Sequence, residues 1–579
     1  MRKFIALTGA LLLALPGLAF AQVKTQTKGG DWAAQPTAPG DFTRSFKLPQ
    51  KIGDITVNFR VRADFDFQSN RNFDFDSSQD DTALRSSRQL GGGNNNLASL
   101  RKGEMFVYED ERFGFDASGD RWAIHTVMEA DDNLADREGA DAAIHVERWW
   151  GDYDFGYFNI RVGNQIVGLE PGAMVWTDDD PAVRLYKDYG TIAWSIYYSK
   201  LQDADNQAGA PTGRLLTSNA GTNNDQDIVA AVIEFALPNP MGAGTLSFAP
   251  FFAFQNDDRY KRPGGVTGLV GPAAVAACGI ACSGDLEVYH AGATIAGKVG
   301  PVDLVIAGAY NWGEDKTGLN SVNPITGVLQ EADISAWYAF ANLAWAVPNT
   351  PLTIGAGVMV LSGDDDPFDD NASGYLGVRH NTEYGGGLGG IDIWVDDFDV
   401  AVKLQDAVLR TGNASTNDGI ILTTDDDPTP MGLSNVGNVF GSPSSGFFGG
   451  TADQLDVHRS NNRSHPGIIM ANANLSYKVT KDLLTRVDVN PMWFYSTDGF
   501  HPFLQGAATP SGRSPGLGID SYLGTEVVFT SLWKPWGSPY FSINPGVAIM
   551  IPGSGMEDLT GTDDTALKVH VSFIWALGI

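Results

Sequence analysis

The chain has 579 residues with a formal net charge of −30, an acidic balance that argues against a nucleic-acid partner, because a phosphate backbone is held by basic surface. With 43% hydrophobic residues it has material for a large ordered structure. Past Ala21, however, no apolar stretch approaches the roughly 20 residues that a membrane-crossing helix needs, which excludes a helical membrane protein.

The N-terminus reads Met1-Arg2-Lys3, then an apolar run from Phe4 to Leu18, then Ala19-Phe20-Ala21. A charged start, an apolar middle and a small-x-small end predict a secretory signal peptide over 1–21, cut after Ala21. Gln22 stands where a lipid anchor would need a cysteine. Residues 22–53 read as an N-terminal periplasmic segment, and 54–579 as the folded body.

The body opens with strict alternation. Ile55, Val57, Phe59, Val61, Ala63, Phe65 and Phe67 fall on one face of an extended chain, and Thr56, Asn58, Arg60, Arg62, Asp64 and Asp66 on the other. A strand of this length exceeds the ~5–6 residues of ordinary soluble sheets and suits a tilted crossing of a bilayer. The same phase returns at Phe158, Ile160 and Val162; at Ile192, Trp194, Ile196 and Tyr198; from Val302 to Trp312; and from Leu352 to Val360. It recurs at Val487, Val489, Pro491, Trp493 and Tyr495, at Leu523, Thr525, Val527 and Phe529, and from Val569 to Ile579.

Connections alternate in length. Short ones are predicted near Ser118-Gly119, Gly151-Asp152, Asp188-Tyr189, Pro238-Pro240, Gly300-Pro301, Pro348-Pro351, Lys481-Asp482 and Gly537-Pro539. Long ones are predicted at 68–103, 203–225, 257–284, 314–330, 363–390, 407–465 and 498–517. A membrane barrel sorts its loops this way, tight turns to the periplasm and long acidic loops outward; a soluble sandwich has no reason to. The expected fold is all-β, a single closed antiparallel transmembrane β-barrel of about 18–20 strands. Weak strands near 183–187 and 391–395 decide the count, and 407–465 is either a long loop or a plug. Aromatics near the short turns, namely Trp122, Trp149, Trp150, Tyr153, Tyr186, Tyr189, Trp345, Trp533, Trp536 and Tyr540, read as an interfacial girdle.

If the apolar phase meets lipid, the opposite phase lines a lumen. It holds the cations Arg60, Arg62, Arg161, Arg184, Lys403, Arg486 and Lys568, and the anions Asp64, Asp66, Asp488 and Glu526, so its sign is mixed. In Glu109-Asp110-Glu111-Arg112 both phases carry charge, which leaves the facing of that run open. Cys278 and Cys282, four apart in a chain bound for an oxidising compartment, are expected to form a small loop disulfide.

Asp-Asp-Asp-Pro occurs at 178–181, 364–367 and 425–428, each read as part of a long connection. Asp364, Asp365, Asp366, Asp369 and Asp370 form the richest case, a candidate Ca²⁺ or Mg²⁺ site or a bridge to lipopolysaccharide, although a solvated acidic loop explains the same residues. No phosphate-cradling loop, nucleophile elbow or zinc-protease helix is present, and Gly385, Gly387 and Gly390 lack a strand-turn-helix context. No catalytic residues emerge, and the chain is not read as an enzyme.

Several stretches resemble the alginate-export family and related large porin-like outer-membrane barrels. They are Phe59-Arg60-Val61-Arg62, Glu111-Arg112-Phe113-Gly114-Phe115-Asp116, Arg161-Val162-Gly163-Asn164-Gln165, Leu361-Ser362-Gly363-Asp364-Asp365-Asp366-Pro367, Tyr522-Leu523-Gly524-Thr525-Glu526 and Ile551-Pro552-Gly553. The resemblance implies an 18-stranded barrel in the outer membrane whose inward arginines guide small hydrophilic solutes or an anionic polymer through a loop-constricted pore. The alternative is a non-conducting barrel that serves as scaffold, adhesin or conduit for a partner protein.

Overall fold

Strands with alternating chemistry are two-faced ribbons, and ribbons paired edge to edge make a wall with a different chemistry on each side. The computed structural model describes residues 50–71, 105–133, 145–170, 175–203, 225–238, 246–257, 286–316, 331–365, 369–375, 377–380, 467–498, 518–538, 540–560 and 563–578. These build a 21-stranded sheet. Three strands are short pieces, Gln50–Ile52, Asn371–Ala372 and Arg379–His380. The remaining eighteen make the wall.

In chain order the wall strands are β1 Ile55–Arg71, β2 Met105–Ser118, β3 Trp122–Asn133, β4 His145–Asp154, β5 Asn159–Gly168 and β6 Trp176–Asp188. Then come β7 Ile192–Asp203, β8 Asp225–Leu237, β9 Leu246–Asp257, β10 Leu286–Val299, β11 Val302–Asp315 and β12 Ala332–Ala346. The last six are β13 Leu352–Leu361, β14 Ile468–Thr480, β15 Leu483–Phe494, β16 Tyr522–Trp533, β17 Phe541–Pro552 and β18 Ala566–Gly578.

Each strand pairs antiparallel with its successor, β13 with β14 included, and β18 returns to β1 from Arg60↔Gly578 to Arg71↔Leu567. The wall is therefore a closed ring with no free edge. Among the described residues the ring has eighteen strands, the lower expected value. The weak pattern at 183–187 is the body of β6. The one at 391–395 lies outside the described residues, and the ring closes without it.

All short turns gather at one end of the ring and all other connections at the opposite end. One expected turn is displaced. Gly151 and Asp152 continue β4 in register with β5, and the chain reverses at Phe155–Phe158 instead, where Gly156 has φ 89° and its N–H donates to Asp154 Oδ1 at 2.6 Å. A second correction concerns Asp178–Pro181, expected in a long connection. These residues pair with β5 as part of β6, and Asp180 accepts a hydrogen bond from Trp176 Nε1 at 2.7 Å. The connections 134–144, 169–175 and 553–565 were not among those expected; the last carries a short helix, Ser554–Thr560.

The two faces separate as the alternation predicts. Phe59, Val162, Tyr198, Ile306, Tyr310, Trp312, Ile354, Val358, Val487, Val489, Phe529, Val569 and Trp575 are exposed on the outer face. Leu523 departs from this phase. Trp493 pairs with Tyr522 and Met492 with Gly524, so Leu523 is an extra residue in a bulge and is buried on the inner face. Gly524 there has φ 141°, and a Cβ would meet the Ile551 carbonyl oxygen at 2.4 Å.

Outward aromatics form two belts, one near each end of the wall, as amphipathic rings do at membrane–water boundaries. Toward the short turns stand Trp149, Tyr153, Phe155, Tyr157, Tyr189, Trp345, Trp533 and Trp575. Toward the other end Tyr289 stacks on Trp312 at 5.7 Å and Trp337 meets Tyr495 edge-on at 5.8 Å. Trp150 and Tyr186 are corrections to the expected girdle. Trp150 is buried on the inner wall, and Tyr186 lies against two inward arginines, because each sits one residue out of the outward phase.

Candidate functional site

Polar residues that alternate with the lipid-facing phase have nowhere to go but inward. On the arc β2–β7 they form a connected network. His125 Nδ1 on β3 lies 2.9 Å from Asp116 Oδ1 on β2, and its Nε2 lies 3.7 Å from Asp152 Oδ2 on β4. Arg161 on β5 donates through Nε and Nη2 to the two oxygens of Asp152 at 2.8 and 3.0 Å, a bidentate pair. The Tyr186 hydroxyl on β6 donates to the same carboxylate at 3.0 Å. Arg184, also on β6, donates to Ser195 Oγ on β7 through Nε at 3.1 Å and Nη2 at 2.8 Å.

A second network lies on another arc of the ring, β14–β16. Arg486 and Asp488 on β15 form a bidentate pair that is fully buried. Asn472 Nδ2 on β14 donates to Asp488 Oδ1 at 3.1 Å, and Asn474 Nδ2 donates to Asn472 Oδ1 at 2.7 Å. Glu526 on β16 stands opposite Asn490 in the same patch and is buried. Pairing these buried ions with an opposite charge or a hydrogen-bonding group follows from the cost of burying an unsolvated ion.

The structure thus brings Arg161 together with Arg184, and Arg486 together with Asp488 and Glu526, but on separate arcs. Arg60, Arg62, Asp64 and Asp66 lie on β1 and Lys568 on β18, with side chains outside the described set. Lys403, Cys278 and Cys282 lie outside the described residues. Two inward arginines escaped the sequence reading. Arg112 is buried on β2, in the run whose facing was open, and Arg148 is buried on β4, where the misplaced turn hid its phase.

Four of the five carboxylates in the acidic segment after β13 lie among the described residues. Asp364 is buried and accepts from Ser373 Oγ at 3.3 Å, Asp369 accepts from the Asn371 N–H at 2.8 Å, and Asp365 and Asp370 are exposed. Asp366 lies outside the described residues. Among the described residues no three His, Cys, Asp or Glu side chains gather to hold a metal.

Parts of the segment also pair with the wall. Asn371–Ala372 pairs parallel with Asp333–Ile334 at the start of β12, and Arg379–His380 pairs parallel with Trp176–Thr177 at the start of β6. Between them the Tyr375 N–H donates to the Ser362 carbonyl at 2.9 Å and the Val378 N–H to the Val175 carbonyl at 2.7 Å. The described residues of 362–380 thus reach two strands six apart around the ring, a chord at the end opposite the short turns. Tyr375 packs on the inner-wall Tyr338 with ring centroids 5.0 Å apart. Trp176, Leu361, Tyr375, Val378, Met470, Met492 and Phe494 belong to one buried apolar cluster around it. The segment 407–465, read as a long loop or a plug, lies outside the described residues.

The class that emerges is a closed β-barrel with an apolar, aromatic-belted outer wall and a charged inner wall. No family model and no curated sequence matches the chain. Solved structures similar to it include the outer membrane protein OprD from Pseudomonas aeruginosa, at 9% identity and TM-score 0.42, covering 94% of this chain and 97% of that one. Pseudomonas aeruginosa OccK11 (OpdR) is 8% identical at TM-score 0.40, covering 93% and 100%. A BenF-like porin from Pseudomonas fluorescens Pf-5 is 9% identical at TM-score 0.42, covering 91% and 100%. At such scores the fold assignment rests on the strand pairings, not on these likenesses.

Proposed function

We propose that the chain is an outer-membrane channel of the porin type that passes hydrophilic solutes and uses its inward arginines to favour anionic ones. The observation that supports it most is the inversion of chemistry across one wall. Outward positions carry aliphatic and aromatic side chains between two belts, while the inward positions of the same strands carry Arg112, Arg148, Arg161, Arg184 and Arg486. A soluble barrel would bury its apolar face and wet its polar one; here the relation is reversed. Lipid of the outer membrane is then the partner of the outer wall, lipopolysaccharide that of the acidic loops, and a solute or an anionic polymer that of the inner wall.

The chord 362–380 narrows this path, and the pairs Arg161–Asp152 and Arg486–Asp488 fix charge along it. No element of the site performs a reaction in this reading. Resemblance to the alginate-export family supports an anionic polymer as one cargo.

Purified protein refolded into a planar bilayer tests the proposal. Discrete conductance steps with anions more permeant than cations are expected. A heat-modifiable, fully assembled barrel that stays electrically silent over a range of salts and voltages would refute the channel and favour the scaffold or partner-housing reading, for which the buried cluster around the chord is the supporting observation.

A further inference from the structure

A chain of alternating rings and cations runs along the inner wall from β3 to β7. His125 stacks on Trp150 with centroids 4.9 Å apart. The Arg161 guanidinium carbon lies 5.1 Å from the Trp150 ring centroid and 5.8 Å from that of Tyr186. The Arg184 guanidinium lies 4.5 Å from Tyr186 and 5.2 Å from Tyr197, and Tyr197 meets Trp176 at 5.9 Å.

Within it lies an arrangement that needs an explanation. Arg161 and Arg184 are register partners, directly opposite each other on adjacent strands. Like charges at such positions repel, and a wall free to choose would pair them with acids. Asp152 holds Arg161 and the Ser195 hydroxyl holds Arg184. Tyr186 touches all three groups: its ring lies against both guanidiniums and its hydroxyl donates to Asp152. An aromatic face attracts cations through its quadrupole, so one ring serves as a common seat for two charges that would otherwise move apart.

We propose that Tyr186 is a positioning residue that fixes the spacing and orientation of Arg161 and Arg184 and thereby sets the charge selectivity of the lumen. The inference rests on the channel reading. It assigns the ring, and not the hydroxyl, the greater share, because the ring is what both arginines share. Without the ring Arg161 keeps its bidentate bond to Asp152, whereas Arg184 loses a face that orients it.

Reversal potentials across a planar bilayer under a KCl gradient test this, with the wild type, Tyr186→Leu and Tyr186→Phe compared. The expected result is an anion-to-cation permeability ratio at least about twofold lower in Tyr186→Leu, with single-channel conductance and heat-modifiable mobility retained, and restored in Tyr186→Phe. Equal ratios in wild type and Tyr186→Leu would overturn the proposal while leaving the channel standing. If Tyr186→Leu does not assemble, Tyr186→Gln, which keeps a polar group and lacks a ring, decides by the same criterion. A wild type that assembles yet does not conduct would overturn the channel reading and this inference with it.

Discussion

Arg486 and Asp488 face inward from alternate positions of one strand, and the guanidinium spans the gap to place Nε and Nη2 on the two carboxylate oxygens at 2.8 and 2.7 Å. Both are buried, so neither charge recovers its hydration if the other is removed. Asp488→Ala is therefore expected to destabilise the barrel by about 3–5 kcal/mol, and the double change Arg486→Met with Asp488→Leu by less. Urea titration of refolded protein, followed by tryptophan fluorescence, measures both. Equal losses in the single and double variants would remove the pair from the account.

Gly163 is required by the inner wall at β5. Its φ is 137°, and a Cβ would lie 2.2 Å from the Trp149 carbonyl oxygen and 2.7 Å from Trp150 Cα. Any side chain there pushes β4 away from β5 where Trp150 seats Arg161. Gly163→Val should cost more than the roughly 1–3 kcal/mol of a strained backbone alone and lower the yield of heat-modifiable barrel. Wild-type yield and urea midpoint in that variant would show that the wall tolerates separation at this rung.

Charge on the outer wall should cost free energy according to depth. Ile306 is exposed within the span of β11, while Asp333 is exposed at the start of β12, near the end of the wall opposite the short turns. In lipid vesicles Ile306→Arg is expected to lose about 2–4 kcal/mol and Asp333→Arg about 0–1. Similar values for the two sites would mean that no hydrocarbon surrounds the wall.

The period-two pattern made the outward face legible in β1, β5, β7, β11, β13, β15, β16 and β18, because lipid demands the same phase along a strand and tolerates few exceptions. Parity of connection lengths gave the closed antiparallel order for the same reason. Misreadings fall where a local signal competes with pairing. Gly151-Asp152 looks like a turn yet pairs with β5, and Asp178–Pro181 looks like an acidic loop yet pairs as β6. Leu523 keeps the outward phase on paper and loses it to a bulge. The chord 362–380 was not legible at all, since parallel pairing of Arg379 with Trp176 is set by tertiary contact alone. Likewise the inward arginines could be named singly, but their partners follow from cross-strand register, which one strand does not encode.

The barrel exists only if β18 closes onto β1. Phe67 and Val571 are register partners across that seam on the outer face, so cysteines at both positions fall within disulfide range. In a background with Cys278 and Cys282 changed to Ser, the folded Phe67→Cys, Val571→Cys protein is expected to oxidise readily. It should then migrate, after heat denaturation in detergent, as a circularised species that reverts on reduction, whereas Phe67→Cys with Val547→Cys, one strand further round, should not. Free thiols in the folded Phe67→Cys, Val571→Cys protein would contradict the closed ring.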